Sequence, residues 1–321
     1  MPPRESPETR SMTLVDIPLV NRLAEKGVLL DSEMIFTRDT QEPNGGLFSS
    51  ILLPQRGYHT LLARADKQQV VGQFRMRTDQ PTAQMVYIAP GLEDDEDNTA
   101  WLHVLDAIVR EAGKHNAHTL TAEVSEDSTL FETMRNAGFA VYARQQIWRW
   151  EAGDAPLPDS QIELTEQTEA DIQGIQSLLT NTVPKLVQQI AAPSAEMAGL
   201  VYRKNERVEA HIALSEGKHG VYIIPNIHPD SSLEAPAIFM AVLHRLPRTK
   251  PVYVCVRRHQ DWLAAALERL GFEPGRRQAV LVRHITAGVR HANFAPIYNE
   301  LGAQPVKQPT KPLKHNILEP M

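Results

Sequence analysis

The sequence predicts an α/β (α+β) chain in which one domain is used twice. Two recurrences carry this expectation. Tyr87-Ile88-Ala89-Pro90 returns as Tyr222-Ile223-Ile224-Pro225 at an offset of 135, and Gly138-Phe139 returns as Gly271-Phe272 at an offset of 133. The interval from the proline to the glycine is held at 48 residues in the first half and 46 in the second. Solenoid repeats have periods of about 20–50 residues, so a period this long points to duplicated domains instead. Length agrees: 321 residues are too many for one ordinary core and suit two domains of roughly 130–150 residues, each able to bury about two-thirds of its unfolded surface.

The elements follow from periodicity. Ser11 to Ala24 carries Leu14, Ile17, Leu19, Val20 and Leu23 at helical spacing, interrupted by Pro18 near its start. His59 to Arg64 and Val70 to Met76 are extended runs split by the polar Ala65-to-Gln69 stretch, which reads as a hairpin. Ala83 to Ala89 is the next strand. Asn98 or Thr99 then caps a helix whose apolar face takes Trp101, Leu102, Leu105 and Ile108. Leu120 to Val124 is a strand, Leu130 to Asn136 a short helix, and Tyr142 to Trp150 an alternating strand, with Trp148 and Trp150 expected at the domain interface.

The second half replays this order. Thr168 to Ile190 is helical with a break at Pro184, Gly199 to Leu214 a hairpin around Lys204-Asn205-Glu206, and Val221 to Pro225 a strand. A helix over Ala235 to Leu246, a strand over Val252 to Val256, a helix over Trp262 to Leu270 and a strand over Gln278 to Ile285 complete it. Gly138 and Gly271 take the positive-φ position that ends a helix.

The expected organisation is a disordered N-terminus over 1–11, a first domain over 12–150, and a linker over 151–160 marked by Gly153, Asp154, Pro156 and Pro158. A second domain over 161–290 precedes a Pro/Lys-rich tail over 291–321, which buries too little apolar area to offset its ordering entropy. Within the tail, a segment around Phe294 and Tyr298 is the one expected to dock.

The single cysteine, Cys255, excludes an internal disulfide framework and reads as a core thiol between Val254 and Val256. The N-terminus has no apolar signal region and no stretch reaches 18 uncharged apolar residues, so a cytoplasmic location is expected and a membrane partner is not. A net charge of −6 argues against a general nucleic-acid binder. Arg257-Arg258-His259 and Arg276-Arg277 are short clusters that read as solvated turns. His115 and His118 lack a third ligand nearby and are not read as a zinc site.

A strand ending in x-Pro before a long helix, with Gly-Phe closing the next helix, resembles the GNAT superfamily of acyl-CoA-dependent N-acetyltransferases. The likeness covers roughly residues 12–150 and again 160–288. It implies two GNAT-like domains, each a mixed, mostly antiparallel twisted sheet flanked by helices. It also implies acetyl-CoA as cofactor and an amine of a small molecule or peptide as acceptor. In that family the strand before the long helix carries a bulge and splays from the next strand, so that pantetheine lies in the gap. The corresponding edges here are Tyr87 to Ala89 against Leu120 to Val124, and Tyr222 to Ile224 against Val252 to Val256.

Departures from the family pattern are equally specific. The family holds pyrophosphate with a loop of the form Arg/Gln-x-x-Gly-x-Gly/Ala at the start of the long helix. After Pro90 this chain carries five consecutive acids, Glu93 to Asp97. A carboxylate about 5 Å from a phosphate charge costs roughly 3 kcal/mol at an effective dielectric near 20. The second half has Asn226 to Glu234 in that place, without the glycines but with Ser231 and Ser232, whose hydroxyls and amides could meet an anion. The resemblance therefore assigns cofactor contacts to Ile223, Ile224, Ser231 and Ser232.

The tyrosine that many members place four residues before the Gly-Phe glycine is replaced by Met134 and Leu267, and the asparagine seven residues earlier by Asp127 and Gln260. Glu123, in the strand beside the expected cleft, is the nearest candidate for a base, against the alternative of a surface carboxylate. Tyr87 and Tyr222 read as core residues with hydrogen-bonded hydroxyls. Two functions stand side by side: acyl transfer centred on the second domain, or a non-catalytic descendant that uses the duplicated sheet for ligand binding or assembly.

Overall fold

The computed structural model describes residues 8–37, 57–65, 68–77, 80–93, 97–151, 153, 157–191 and 197–285. The expected tail over 291–321, residues 1–7 and Asp94 to Glu96 of the acidic run lie outside the described residues. In the first half, β1 (Glu8–Ser11) and α1 (Ile17–Ala24) are followed by β2 (Val28–Leu29), α2 (Ser32–Thr37), β3 (Tyr58–Ala65), β4 (Gln68–Met76) and β5 (Thr82–Ala89). Next come α3 (Thr99–Lys114), β6 (Thr119–Ser125), α4 (Thr129–Asn136) and β7 (Ala140–Trp150). The second half opens with β8 (Thr165–Glu166), α5 (Ile172–Thr182), α6 (Lys185–Ala191), β9 (Ala198–Lys204), β10 (Arg207–Glu216) and β11 (Val221–Ile227). It closes with α7 (Ala235–Arg245), β12 (Val252–Arg257), α8 (Ala264–Arg269) and β13 (Glu273–His284).

Local chemistry explains these boundaries. Trp101, Val104, Leu105, Ile108 and Ala112 recur on one face of α3 and are buried against the sheet. Ser128 caps α4 by accepting from the Phe131 amide, and Gly138 and Gly271 leave their helices at φ of 83° and 80°. The β9–β10 turn places Asn205 and Glu206 both at positive φ, the pairing a two-residue type I′ hairpin requires.

Asn98 occupies the N-cap of α3, but its amide donates to Thr133 Oγ1. Asp97 takes over the capping role, accepting from the Thr99 amide at 3.0 Å and the Thr99 hydroxyl at 2.6 Å. Of the expected disordered 1–11 segment, only the described part, Glu8–Ser11, needs correction. Glu8–Ser11 pairs antiparallel with Leu61–Arg64, because β3 presents an edge whose backbone groups Glu8 to Ser11 satisfy.

Both halves lie in one compact unit, Met1–Thr286. Among the described residues they share a single 13-stranded sheet, ordered β1-β3-β4-β5-β6-β13-β7-β12-β11-β10-β9-β8, with β2 paired on β5. The centre of this order is an exchange. β13 leaves the second half to pair with β6, and β7 leaves the first to pair with β12, while β7 and β13 pair antiparallel with each other. Gln145 and Gln278 face each other across this junction; Ser125 pairs with Gln278 as Arg257 pairs with Gln145. The local two-fold therefore passes between the glutamines. Trp148, expected at the interface, is buried there between Val254 and Pro274.

That symmetry corrects the register of the repeat. Ser125 matches Arg257, so Leu120 matches Val252. Their parallel partners Ala83 and Val221 are then equivalent, an offset of 138 (83 to 221) along this strand instead of 135. Tyr87 and Tyr222 consequently do not share a place in the fold. α3, α4, α7 and α8 pack on one face of the sheet, and α1, α2, α5 and α6 on the other.

Candidate functional site

In both halves the two strands expected to form a cofactor gap do part. β5 pairs with β6 only over Thr82 to Gln84 against Thr119 to Thr121, and β11 with β12 only over Val221 to Ile223 against Val252 to Val254. Beyond these three pairs each strand runs on without its neighbour. The first-half gap carries the expected bulge, where the register slips between Gln73 and Phe74 opposite Tyr87 and Met85. β11 runs against β10 with no slip, so the bulge is missing from the half in which the cofactor was expected.

The chain itself fills the first gap. β2 pairs with β5 at Tyr87 and Ile88. Leu30 then donates its amide to Val86 O at 2.8 Å and accepts from the Glu123 amide at 3.0 Å and from Gln84 Nε2 at 3.1 Å. Its side chain is fully buried in the core beneath α3. The Ser32 amide adds a bond to Glu123 Oε2 at 2.8 Å. One strand of main chain thus stitches β5 to β6 where a pantetheine would have to lie.

One side chain closes the second gap. Gln260 Oε1 accepts from the Ile227 amide at 3.1 Å while Nε2 donates to Pro225 O at 3.0 Å, and the residue is 4% exposed. Its amide copies a peptide group and satisfies the strand edge that β12 has left. Ile223 is buried and paired with Val254, and Ile224 packs with Tyr222 and Cys255. Ile224 borders only a small cavity of about 40 Å³ on the other face of the sheet, too small for a cofactor.

The helix start in the second half is also spent. Pro229–Ser231 forms a 3-10 turn in which the Ser231 amide donates to His228 O at 2.9 Å and the Ser232 amide to Pro229 O at 3.0 Å. Ser231 is buried and its hydroxyl donates to Glu209 Oε2 at 3.2 Å. The expected anion contacts at Ser231 and Ser232 thus give way to an internal turn beside Glu209, Asp230 and Glu234. Met134 and Leu267, at the tyrosine positions, are fully buried.

Glu123 turns to the opposite face of the sheet, towards a cavity of about 40 Å³ that Asp31, Tyr222 and Arg257 also line. That volume holds ordered water but no substrate. Burial, with the neighbouring Asp31 charge, pushes the Glu123 carboxyl above its usual range, while the bonds from Ser32 oppose the shift. A base held there by Ser32 is neither a surface carboxylate nor placed beside an open gap. Cys255 is buried, donates to Gln145 Oε1 at 3.4 Å and is pushed up to about 11 by burial. It is a core thiol.

Sequence reasoning missed Leu30 and Gln260 as plugs. Gln260 carried a signal, since it stands where the resemblance expects asparagine. Leu30 carried none, because its role comes from main-chain bonds. Also missed was a second recurrence, Thr13-Leu14-Val15-Asp16-Ile17 and Thr168-Glu169-Ala170-Asp171-Ile172, 155 apart (13 to 168). In each copy the threonine amide and hydroxyl both donate to the aspartate, at 2.9 and 2.7 Å in the first and 2.8 and 2.8 Å in the second. Arg10 and Arg203 clamp the two aspartates.

The chain matches no protein-family model and no curated protein. Among solved structures it is similar to a GCN5-related N-acetyltransferase from Sphaerobacter thermophilus, at 13% identity and a TM-score of 0.50 over 88% of this chain and 96% of that one. It is also similar to a tandem GNAT protein from the clavulanic acid biosynthesis pathway, at 15% identity and a TM-score of 0.48 over 88% and 99% of the two chains. A third match is a GCN5-related N-acetyltransferase from Kribbella flavida, at 17% identity and a TM-score of 0.46 over 66% and 86%. No helix among the described residues is long and apolar enough to cross a membrane. With its repeated element order, its parting strands and the first of these likenesses, the chain has the GNAT fold, used twice within one sheet.

Proposed function

We propose that this chain is a non-catalytic tandem GNAT-fold protein that binds a ligand without transferring an acyl group from acetyl-CoA. The observation behind this reading is that both gaps are occupied by the chain's own hydrogen-bonding groups, Leu30 main chain in one and the Gln260 amide in the other. Admitting pantetheine to the first gap breaks the Leu30 bonds to both strands and exposes a buried leucine. Each buried backbone group left unpaired costs about 1–3 kcal/mol. The absence of an acid tyrosine at Met134 and Leu267 points the same way. Release of free thiol from acetyl-CoA, followed with a panel of small amines and peptides, should stay at the uncatalysed rate. Turnover that disappears in a Gln260→Trp variant overturns the reading.

One observation favours a second reading, acyl transfer from acetyl-CoA to an amine of a small molecule or peptide by the second half in the cytoplasm. The second gap is closed by one side chain only, and a rotamer change of Gln260 bares Ile227 N and Pro225 O to a cofactor. On that reading Gln260→Ala tightens acetyl-CoA binding; on the first it does not create any.

A further inference from the structure

Two arginine clusters that look like unrelated solvated turns in sequence meet in one cleft. The exchange of β7 and β13 brings Arg258, just past β12, and Arg277, on β13, to opposite sides of a cavity of about 490 Å³ on the α3/α7 face of the sheet. Its floor includes Trp148 and Val256, and Glu126, Arg144 and Asp261 stand around it. A one-residue slip of β13 between Pro274 and Arg277 opens the cleft, and Gln146 Nε2 holds the slip by donating to Gly275 O at 2.9 Å. The volume falls within the roughly 300–1,000 Å³ usual for small-molecule sites.

Charge decides what fits. Arg144 is neutralised by Glu126 at 2.6 Å. The side chains of Arg258 and Arg277 have no hydrogen-bond or ion-pair partner among the described residues, and Asp261 supplies one negative charge against these two. Both side chains are exposed, so each is free to turn its guanidinium to a ligand. The planar fork of donors matches carboxylate and phosphate oxygens, to which a guanidinium gives charge-assisted and often bidentate bonds.

We propose that this junction cleft binds a small polyanion, a phosphate or carboxylate compound, through Arg258 and Arg277. The site exists only because the two halves exchange strands: Arg277 and Arg258 belong to the second half, while Arg144, Gln146 and Trp148 belong to the first. It lies on the β7 side of β12, away from the β11–β12 gap, so it does not depend on whether that gap takes acetyl-CoA.

Calorimetric titration of the full chain at low ionic strength, with inorganic pyrophosphate and with citrate in separate arms, tests the proposal. Low salt is needed because exposed charges are screened within about 10 Å at 0.1 M. Saturable binding of either probe is expected, the stronger arm identifying the anion class. Binding should weaken at least about tenfold in an Arg258→Gln/Arg277→Gln variant and stay unchanged in Arg149→Gln, whose arginine pairs with Glu151 outside the cleft. Since all three arginines are exposed, the variants should melt with the wild type. No binding in either arm, or binding that the double variant keeps in full, overturns the proposal.

Discussion

His211 sits buried on β10, with Nε2 at 2.9 Å from Gln167 Oε1, and burial holds its pKa down at about 4, with Asp171 only partly opposing. The unfolded chain therefore takes up this proton first as pH falls. Stability from this residue is complete above the ordinary histidine value of about 6.5 and is lost between there and pH 4, by about 3 kcal/mol at most. Burial depresses His259 to about 4 as well, so it adds a loss of the same sign. Denaturant titrations of wild type and His211→Gln at pH 7 and pH 4.5 should show the variant losing clearly less stability on acidification. Equal losses contradict the assignment.

The paired aspartates belong to the same scale. Arg10 and Thr13 hold the Asp16 carboxyl well below its usual range, and Asp171 is lowered chiefly by the Thr168 amide. Asp16→Ala and Asp171→Ala should each cost about 1 kcal/mol, read as a shift in denaturation midpoint, since each removes the acceptor at a helix start.

At the scale of elements, β2 matters most. Leu30→Ala should destabilise the chain by about 2–5 kcal/mol, as a buried leucine lost from a core does. It should not confer acetyl-CoA binding, because the Leu30 main-chain bonds remain. Most elements were legible in sequence because period and caps are local: the alternation of β7, the apolar stripe of α3 and the terminal glycines at 138 and 271 all follow from neighbouring residues. β1 and β2 were not legible. Each is a short strand defined by the edge it meets, and nothing in Glu8–Ser11 or Val28–Leu29 announces that edge. The same limit applies to the site. Ile223, Ile224, Ser231 and Ser232 were found as positions, yet the turn that consumes the serine amides and the side chain that spans the gap depend on tertiary register.

For the whole molecule, the exchange of β7 and β13 is decisive. Duplication was visible in the recurring Gly-Phe, but a repeat says nothing about which copy each strand pairs with. Because each half completes the other, we expect one cooperative thermal transition by scanning calorimetry, with calorimetric and van't Hoff enthalpies in agreement. Two resolved transitions would contradict an exchanged sheet and favour independent domains at 12–150 and 161–290. A sheet joined in this way places the Arg258/Arg277 cleft at its centre, while the Leu30 main chain and the Gln260 side chain seal the two gaps.

The most direct test of the sealed gaps is titration of acetyl-CoA into the Arg258→Gln/Arg277→Gln variant, in which capture of the cofactor's phosphates by the junction cleft is weakened, with pyrophosphate present in excess to occupy what remains of that site. The account predicts no saturable heat and no change in melting temperature at millimolar ligand. A retained cofactor site would instead stabilise the chain by about 2.7 kcal/mol at 100 times its dissociation constant, and saturable binding of that kind would contradict the account.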